Sequence, residues 1–147
     1  MPQDLAEGGA LTDRDLIVVL AAVRYGRHLP AAERFLASFG ALASPPPLVF
    51  LSVNLTARKP EKRSATGSPY LRKALRRHRL KPVLAQAIAG RLDYPRYTPF
   101  DRFMIRLIMT MTNGPTDPST TVEYTDWSEV DQLADAILKL AHESAKA

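Results

Sequence analysis

The sequence predicts an α/β fold built on a parallel sheet. Three short apolar segments, DLIVVLAAV, LVFLSVN and VLAQAIA, alternate with segments whose apolar residues recur at helical spacing. Strands joined in this way through helices form right-handed crossovers, which keep consecutive strands parallel and close together. We therefore expect the three strands to be parallel neighbours, in that order, in a layered α/β sandwich.

The first strand and helix are predicted from residues 15–40. DLIVVLAAV, residues 15–23, is a continuous apolar run rich in β-branched residues, typical of a parallel strand covered on both faces. A helix is expected from Pro30 to Phe39, because its apolar residues form one narrow face and proline is tolerated in the first turn of a helix. Gly40 is the expected stop. The apolar face of this helix consists of Ala31, Phe35, Leu36 and Phe39.

The second and third strands enclose a basic segment. Pro45-Pro46-Pro47 leads in extended form into LVFLSVN, residues 48–54. Ser68 is placed to cap a short basic helix from Pro69 to about Arg79. PVLAQAIA, residues 82–89, is ambiguous between helix and strand, and we favour a strand because Pro82 and Gly90 leave too few residues for a helix.

Two further helices are predicted in the last third of the chain. Phe100 to Met111 has helical periodicity and ends before Asn113-Gly114-Pro115, and Thr121 to Tyr124 is expected to be extended. Asp126 is a suitable cap for an amphipathic helix from Trp127 to about Ala141. The expected apolar positions are Phe100, Phe103, Met104, Leu107, Ile108 and Met111 in the first helix, and Val130, Leu133, Ala134, Ile137 and Leu140 in the second.

Composition narrows the kinds of site that the chain can carry. There is no cysteine, which excludes disulfides and thiolate metal sites and favours a reducing compartment. The three histidines have no metal-ligand spacing, so no metal is expected. The polar N-terminus does not have the pattern of a signal peptide, and no apolar run approaches the roughly 20 residues of a membrane helix.

Positive charge is concentrated in one segment. The chain has a net charge of +5, and residues 58–81 carry 10 of its 20 basic residues with a single acid, Glu61. This distribution suggests an anionic partner. A nucleic acid is not expected, because LRKALRRHRLK has no neighbouring aromatic residue except Tyr70 and no recognisable binding motif.

The strand ends are the expected binding site. Parallel sheets bind ligands outside the carboxyl ends of their strands. Three segments follow those ends and should lie on one rim: Arg24-Tyr25-Gly26, Ser52-Val53-Asn54, and Gly90-Arg91-Leu92 with Tyr94 and Tyr97.

Four segments of the sequence resemble one enzyme family. AAVRYGRHLPAAERF, SVNLTARKPEKR, AGRLDYPRYTPFDRFMIRLIMTMTNGPTD and VEYTDW are similar to the flavodoxin-like, menaquinone-dependent protoporphyrinogen dehydrogenases of haem biosynthesis. The resemblance extends from about Leu11 to the last helix. It implies an FMN enzyme that dehydrogenates protoporphyrinogen IX and passes electrons to menaquinone or ubiquinone. It also implies a cytoplasmic location, peripherally attached to the inner face of the cell membrane.

The resemblance also suggests roles for individual residues. No catalytic acid or base is expected, because a flavin carries the redox chemistry itself. The basic residues Arg58, Lys59, Lys62 and Arg63 are candidates for binding the substrate's propionates or anionic lipid, and as exposed charges they should contribute little to stability. For each site residue the alternative is an ordinary turn or surface role. The expected FMN contacts are Ala22, Val23, Arg24, Tyr25, Gly26, Ser52, Val53, Asn54, Gly90, Arg91, Leu92 and Tyr94.

One departure from the family lies at the N-terminus. About fourteen residues precede DLIVVLAAV, and the Gly8-Gly9 pair follows no strand. We therefore expect a single partial flavodoxin-like three-layer sandwich over residues 1–147 that lacks the first strand, the phosphate loop and the second strand, with residues 55–81 as a basic inserted loop and helix. An open edge at the first predicted strand and weak FMN binding would follow.

The same departure leaves other functions open. One alternative is a shortened remnant, or an electron-transfer protein that needs a partner and has no activity of its own. A basic module that binds anions or nucleic acid is less favoured. A homo-oligomer is compatible with the open strand edge.

Overall fold

The computed structural model describes residues 13–111, 113–117, 119 and 121–146, and the Gly8-Gly9 pair lies outside them. The strands are β1 (Ile17–Arg24), β2 (Arg27–His28), β3 (Leu48–Val53), β4 (Leu84–Ile88), β5 (Arg91–Asp93) and β6 (Thr121–Glu123). The helices are α1 (Pro30–Gly40), α2 (Pro69–Arg77), α3 (Pro99–Met111) and α4 (Trp127–Ala145). Short 3₁₀ turns lie at Leu55–Arg58, Pro60–Lys62 and Tyr94–Arg96.

The main sheet has the order β2-β1-β3-β4. β1 pairs in parallel with β3, with Ile17 opposite Leu48, and β3 pairs in parallel with β4, with Val49 opposite Leu84. The predicted strand order is therefore confirmed, and the ambiguous segment before Gly90 forms a strand. β2 was not predicted, and it pairs antiparallel with the end of β1.

Helices pack on both faces of this sheet. On one face α1 and α2 contribute to a core that contains Leu36, Phe39, Phe50 and Leu71. On the other face α4 packs against β3 and β4 through a core of Val49, Leu51, Ile88 and Leu133. Apolar side chains alternate between the two cores along β3, so all but the last residue of that strand are buried.

β1 departs from the prediction that both of its faces are covered. Val18 is 47% exposed and Leu20 is 63% exposed, both on the face away from α1 and α2. Among the described residues, no strand pairs with the outer side of β1 before Val23. α4 packs over β3 and β4, and no helix of the described residues covers the same face of β1.

The helix ends agree with the local signals in the sequence. The Ser68 hydroxyl accepts from the N–H of Leu71 at the start of α2, and the Asp126 carboxylate accepts from the N–H of Glu129 at the start of α4. α2 ends two residues earlier than predicted, and α4 continues to Ala145. Two alanines predicted to face inward, Ala31 and Ala134, are exposed.

The segment after β4 forms a small substructure of its own. β5 and β6 pair antiparallel, so the predicted extended segment at Thr121 is a strand. Its core consists of Leu92, Tyr94 and Met109, with Ile105 and Val122 packed against them.

α3 buries a different face from the predicted one. Phe100 and Phe103 are each 64% exposed and Met111 is 77% exposed, whereas Met109 is fully buried. Among the helices of the described residues, none combines the length and apolarity that a transmembrane span requires.

Candidate functional site

A cavity of about 460 Å³ lies at the carboxyl ends of the parallel strands. This is within the usual size range of small-molecule sites, roughly 300 to 1,000 Å³. The three segments predicted to share a rim meet here. Two more of the predicted flavin contacts, Ala22 and Val23, also line the cavity. The cavity residues from the three segments are Arg24, Tyr25, Gly26, Val53, Asn54, Gly90, Arg91 and Tyr97.

Most of the opposite wall comes from α3 and from the turns after β3, with Leu29 and Tyr70 beside them. Of these residues, the sequence predicted only Arg58 as part of the site. The signal in α3 was the spacing of Ile105, Ile108 and Met109, which places these side chains on one face of the helix. The additional lining residues are Leu29, Leu55, Thr56, Arg58, Tyr70, Asp101, Ile105, Ile108 and Met109.

The turn between β1 and β2 shapes one side of the cavity. Tyr25 and Gly26 both have positive φ angles, 54° and 81°, as in the hairpin turns whose twist matches that of the strands. Apart from Gly26 and its two chain neighbours, no atom of the described residues lies within 4 Å of the position that a Cβ of Gly26 would occupy, so a ligand can approach the backbone there. The Tyr25 ring is exposed and meets the Phe100 ring edge-on at 5.9 Å between centroids.

An ion pair connects this turn to α3. Nη2 of Arg24 lies 2.9 and 3.0 Å from the two carboxylate oxygens of Asp101, and the Arg24 guanidinium lies 5.2 Å from the centre of the Tyr25 ring. Asp101 is therefore neutralised by Arg24. Arg58 and Arg91 also line the cavity, and their positive charge favours a ligand with negative charge.

A buried polar network runs from Asn54 into the protein. Asn54 Nδ2 donates to Ser52 Oγ at 3.1 Å, and Ser52 Oγ lies 2.7 Å from His28 Nε2. Asn54 Oδ1 accepts from the Thr56 hydroxyl at 2.7 Å and from the Ala57 N–H at 3.1 Å. The Asn54 side chain thus caps the following 3₁₀ turn, which is the ordinary turn role expected as the alternative to ligand binding. Asn54 also lines the cavity.

The far end of this network is charged. The Glu33 carboxylate accepts from Arg77 at 2.8 Å and lies 2.7 Å from His78 Nε2. Burial alone would raise the pKa of Glu33, but hydrogen bonds from His78 and Arg77 outweigh it and hold the pKa below its usual range. Burial lowers the pKa of His28, because a charged imidazole loses hydration there.

Comparison with known proteins identifies the family of this domain. The model of the family described as "Flavodoxin domain" matches residues 2–119. The chain belongs to the flavodoxin-domain family.

Two curated relatives carry the same name. A protein of Escherichia coli (strain K12) named "Protoporphyrinogen IX dehydrogenase [quinone]" is 44% identical over 126 residues, which are 86% of this chain and 70% of the relative. A Leishmania major protein of that name is 39% identical over 133 residues, which are 89% of this chain and 58% of the relative. No solved structure matches the chain.

The flavodoxin-like fold does not bring every predicted flavin contact to the cavity surface. Ser52 is fully buried behind Asn54, and Leu92 is fully buried in the core of the β5–β6 substructure. Tyr94 is also fully buried, and its hydroxyl donates to the Pro115 carbonyl at 2.7 Å. Burial raises the pKa of Tyr94, which keeps the phenol neutral.

Of the four described basic residues proposed to bind the substrate, Arg58 lines the cavity and the other three do not. Lys59 is half-buried and Lys62 is exposed. Arg63 has a structural role, because its Nε donates to the Ala57 carbonyl at 2.7 Å and its Nη1 donates to Glu129 at 3.0 Å. The expectation that all four are exposed charges that contribute little to stability is therefore wrong for Arg63.

Proposed function

We propose that this protein is an FMN-dependent protoporphyrinogen IX dehydrogenase that delivers electrons to a quinone. The observation that carries the proposal is the cavity at the strand ends, in a chain whose flavodoxin-domain relatives are named for this reaction. The cavity holds an apolar wall, an accessible glycine backbone and three arginine side chains, a combination that suits a planar, partly anionic ligand.

The described residues fit the ring of a flavin better than its phosphate. Val53, Ile105 and Ile108 offer an apolar surface, and the backbone at Gly26 together with the Asn54 amide offers polar contacts. Arg91 would place positive charge beside the ring. When bound, FMN supplies the redox chemistry that accepts hydrogen from the porphyrinogen and delivers electrons to the quinone. The protein residues bind and orient the reactants.

Arg58 is the residue that we assign to a substrate propionate. It lines the cavity, and its Nη1 donates to the Leu55 carbonyl at 3.0 Å, which holds the side chain in place. A guanidinium offers the bidentate geometry that a carboxylate prefers. Lys59 and Lys62 lie outside the cavity lining and are assigned instead to attraction of an anionic surface.

We propose that α3 meets the membrane that holds the quinone, menaquinone or ubiquinone. Its exposed apolar residues form a stripe along the helix beside the cavity, and the neighbouring cation Arg106 is exposed. A helix of this kind can lie in a lipid interface, where basic residues add attraction to anionic headgroups. We further propose that the protein lies at the inner, cytoplasmic face of the cell membrane. The stripe consists of Phe100, Phe103, Leu107 and Met111.

The reaction itself tests the proposal. The full chain is mixed with excess FMN, protoporphyrinogen IX and a menaquinone analogue without oxygen, and protoporphyrin is followed by its fluorescence. We expect quinone-dependent product formation. Arg58→Gln should raise the KM for porphyrinogen about tenfold, as expected for loss of a charge-assisted bond that acts in binding, with little change in kcat. Lys62→Gln is the matched control and should leave KM unchanged.

Two outcomes of this assay contradict the proposal. Absence of quinone-dependent turnover in the presence of bound FMN would exclude the reaction for this chain. Equal KM values for Arg58→Gln and the wild type would exclude the assignment of Arg58.

A second candidate is an electron-transfer protein that acts only with a partner. The uncovered face of β1 favours it, because exposed Val18 and Leu20 form a surface that another chain can cover. In that case the isolated chain would bind flavin without turnover. Porphyrinogen dehydrogenation would then appear only after a second protein is added.

A further inference from the structure

We infer that His28 is a positioning residue for the cavity, which acts through Ser52 to fix the side-chain amide of Asn54. The inference rests on the proposed function only for the nature of the cavity ligand. His28, Ser52 and Asn54 are at most 5% exposed, and Asn54 is also a lining residue of the cavity. His28 and Ser52 are therefore connected to the cavity through a single side chain, that of Asn54.

The hydrogen bonds of Asn54 leave its amide a single orientation. Its Oδ1 accepts from the Thr56 hydroxyl at 2.7 Å and from the Ala57 N–H at 3.1 Å. A flipped amide would place two amide hydrogens against those donors. Nδ2 therefore faces Ser52 Oγ, at 3.1 Å, and we assign its second hydrogen to an acceptor on the ligand.

The tautomer of His28 decides the direction of the next hydrogen bond. Nδ1 faces the carboxylate of Glu33 at 3.9 Å, a position that favours a hydrogen on Nδ1. With that tautomer Nε2 is an acceptor, and the Ser52 hydroxyl donates to it across 2.7 Å while Ser52 Oγ accepts from Asn54.

The charges around His28 make the relay sensitive to pH. Glu33 on α1 faces it, as do Arg77 and His78 from the end of α2, and the Phe50 ring of β3 packs at 5.1 Å. A protonated Nε2 becomes a donor, and Ser52 must then turn its hydrogen away from the ring. Ser52 Oγ then accepts from both His28 and Asn54, so the surroundings of the Asn54 amide change with the protonation of His28.

Nuclear magnetic resonance tests the relay without any ligand. At pH 7.5 the His28 ring should be the Nδ1–H tautomer, identified by its ¹⁵N shifts, and the two Nδ2 hydrogens of Asn54 should give separate, slowly exchanging signals. On acidification the Asn54 signals should move with the titration of His28. An Nε2–H tautomer at pH 7.5 in the wild type would overturn the inference, even if no variant folds.

Variants distinguish positioning from packing. His28→Leu removes the acceptor, so we expect faster exchange of the Asn54 amide and FMN binding weaker by about tenfold, the factor that loss of one hydrogen bond produces. His28→Gln returns an acceptor to the Nε2 position and should restore both, now without pH dependence. His142→Gln, at an exposed histidine of α4, is the matched control.

Two results would contradict the positioning role. One is a folded His28→Leu variant whose Asn54 signals match those of the wild type. The other is a His28→Gln variant that remains as impaired as His28→Leu, which would mean that ring packing matters and the acceptor does not. If the wild type does not bind FMN, the proposed function is contradicted. The positioning role of His28 is tested separately, because the tautomer and the Asn54 signals are measured without ligand.

Discussion

Arg24 and Asp101, 77 residues apart in the chain, form an ion pair at the edge of the cavity, with Nη2 within 3.0 Å of both carboxylate oxygens. Arg24 ends β1, and Asp101 lies in the first turn of α3, where negative charge is favoured by the helix dipole. Because α3 supplies the apolar wall, the pair fixes the distance between that wall and the sheet. The predicted role of Arg24 as a flavin contact is thus joined by a structural one.

Breaking this pair should weaken ligand binding more than it weakens the fold. In Arg24→Ala we expect FMN affinity to fall about tenfold, because α3 is no longer held against the strand ends. The free energy of unfolding should change by less than about 1 kcal/mol, since the arginine is largely exposed. Fluorescence titration and urea denaturation measure the two quantities. Arg27→Ala, at the residue directly after the turn, is the control, and equal FMN affinities for the two variants would contradict this role.

Arg63 should behave in the opposite way. It joins the basic segment to α4 through Ala57 and Glu129, so Arg63→Gln should lower the free energy of unfolding by about 1 to 3 kcal/mol. FMN affinity should stay close to that of the wild type, because Arg63 does not line the cavity. Lys62→Gln is the neighbouring control and should change stability by less than about 0.5 kcal/mol. An Arg63→Gln variant as stable as this control would show that the two contacts are weak.

The sheet and its binding edge were predictable because their signals are local. A buried parallel strand is a continuous apolar run, and the rule on carboxyl ends then places Arg24, Asn54 and Gly90 together. α3 was harder, because a helix that is apolar over most of its surface does not reveal which face is buried. The His28–Ser52 and Arg63–Glu129 contacts join residues 24 and 66 positions apart, and neither leaves a local pattern.

Stability should fall on acidification in two steps. The pKa of His28 is lowered in the folded state by burial, so below its ordinary value of 6.5 the unfolded chain binds the proton first and unfolding is favoured. The pKa of Glu33 is also lowered, so its contribution is present above its ordinary value of 4.5 and is lost as the pH falls further. Each group changes the free energy of unfolding by at most about 1.4 kcal/mol per pH unit.

Urea denaturation at several pH values measures these two steps. His28→Gln should remove the step that begins near pH 6.5 and keep the lower one, whereas His142→Gln should keep both. Stability that is constant between pH 7.5 and 5.5 in the wild type would contradict the buried, neutral state of His28.

We expect substitution of Leu20 to affect self-association of the chain more than substitution of any other exposed leucine. Residues of β1 alternate between its two sides, so Val18 and Leu20 direct their backbone groups away from β3, and their apolar side chains are exposed on the same strand. Within the part of the chain that the structure describes, no strand pairs with this edge before Val23. An unpaired apolar edge is a template for a second strand, and a two-fold axis across it would join two sheets in antiparallel fashion. We therefore expect a dimer whose population rises with concentration, and also with salt, because each chain has a net charge of +5.

Leu20→Lys places like charges close to one another across that axis and should shift the protein to the monomer in sedimentation velocity experiments, with the fold unchanged by circular dichroism. Leu138→Lys, at an equally exposed leucine on α4, is the matched control and should leave the dimer intact. A monomeric wild type at every concentration, or equal dissociation in both variants, would show that the open edge of β1 does not pair.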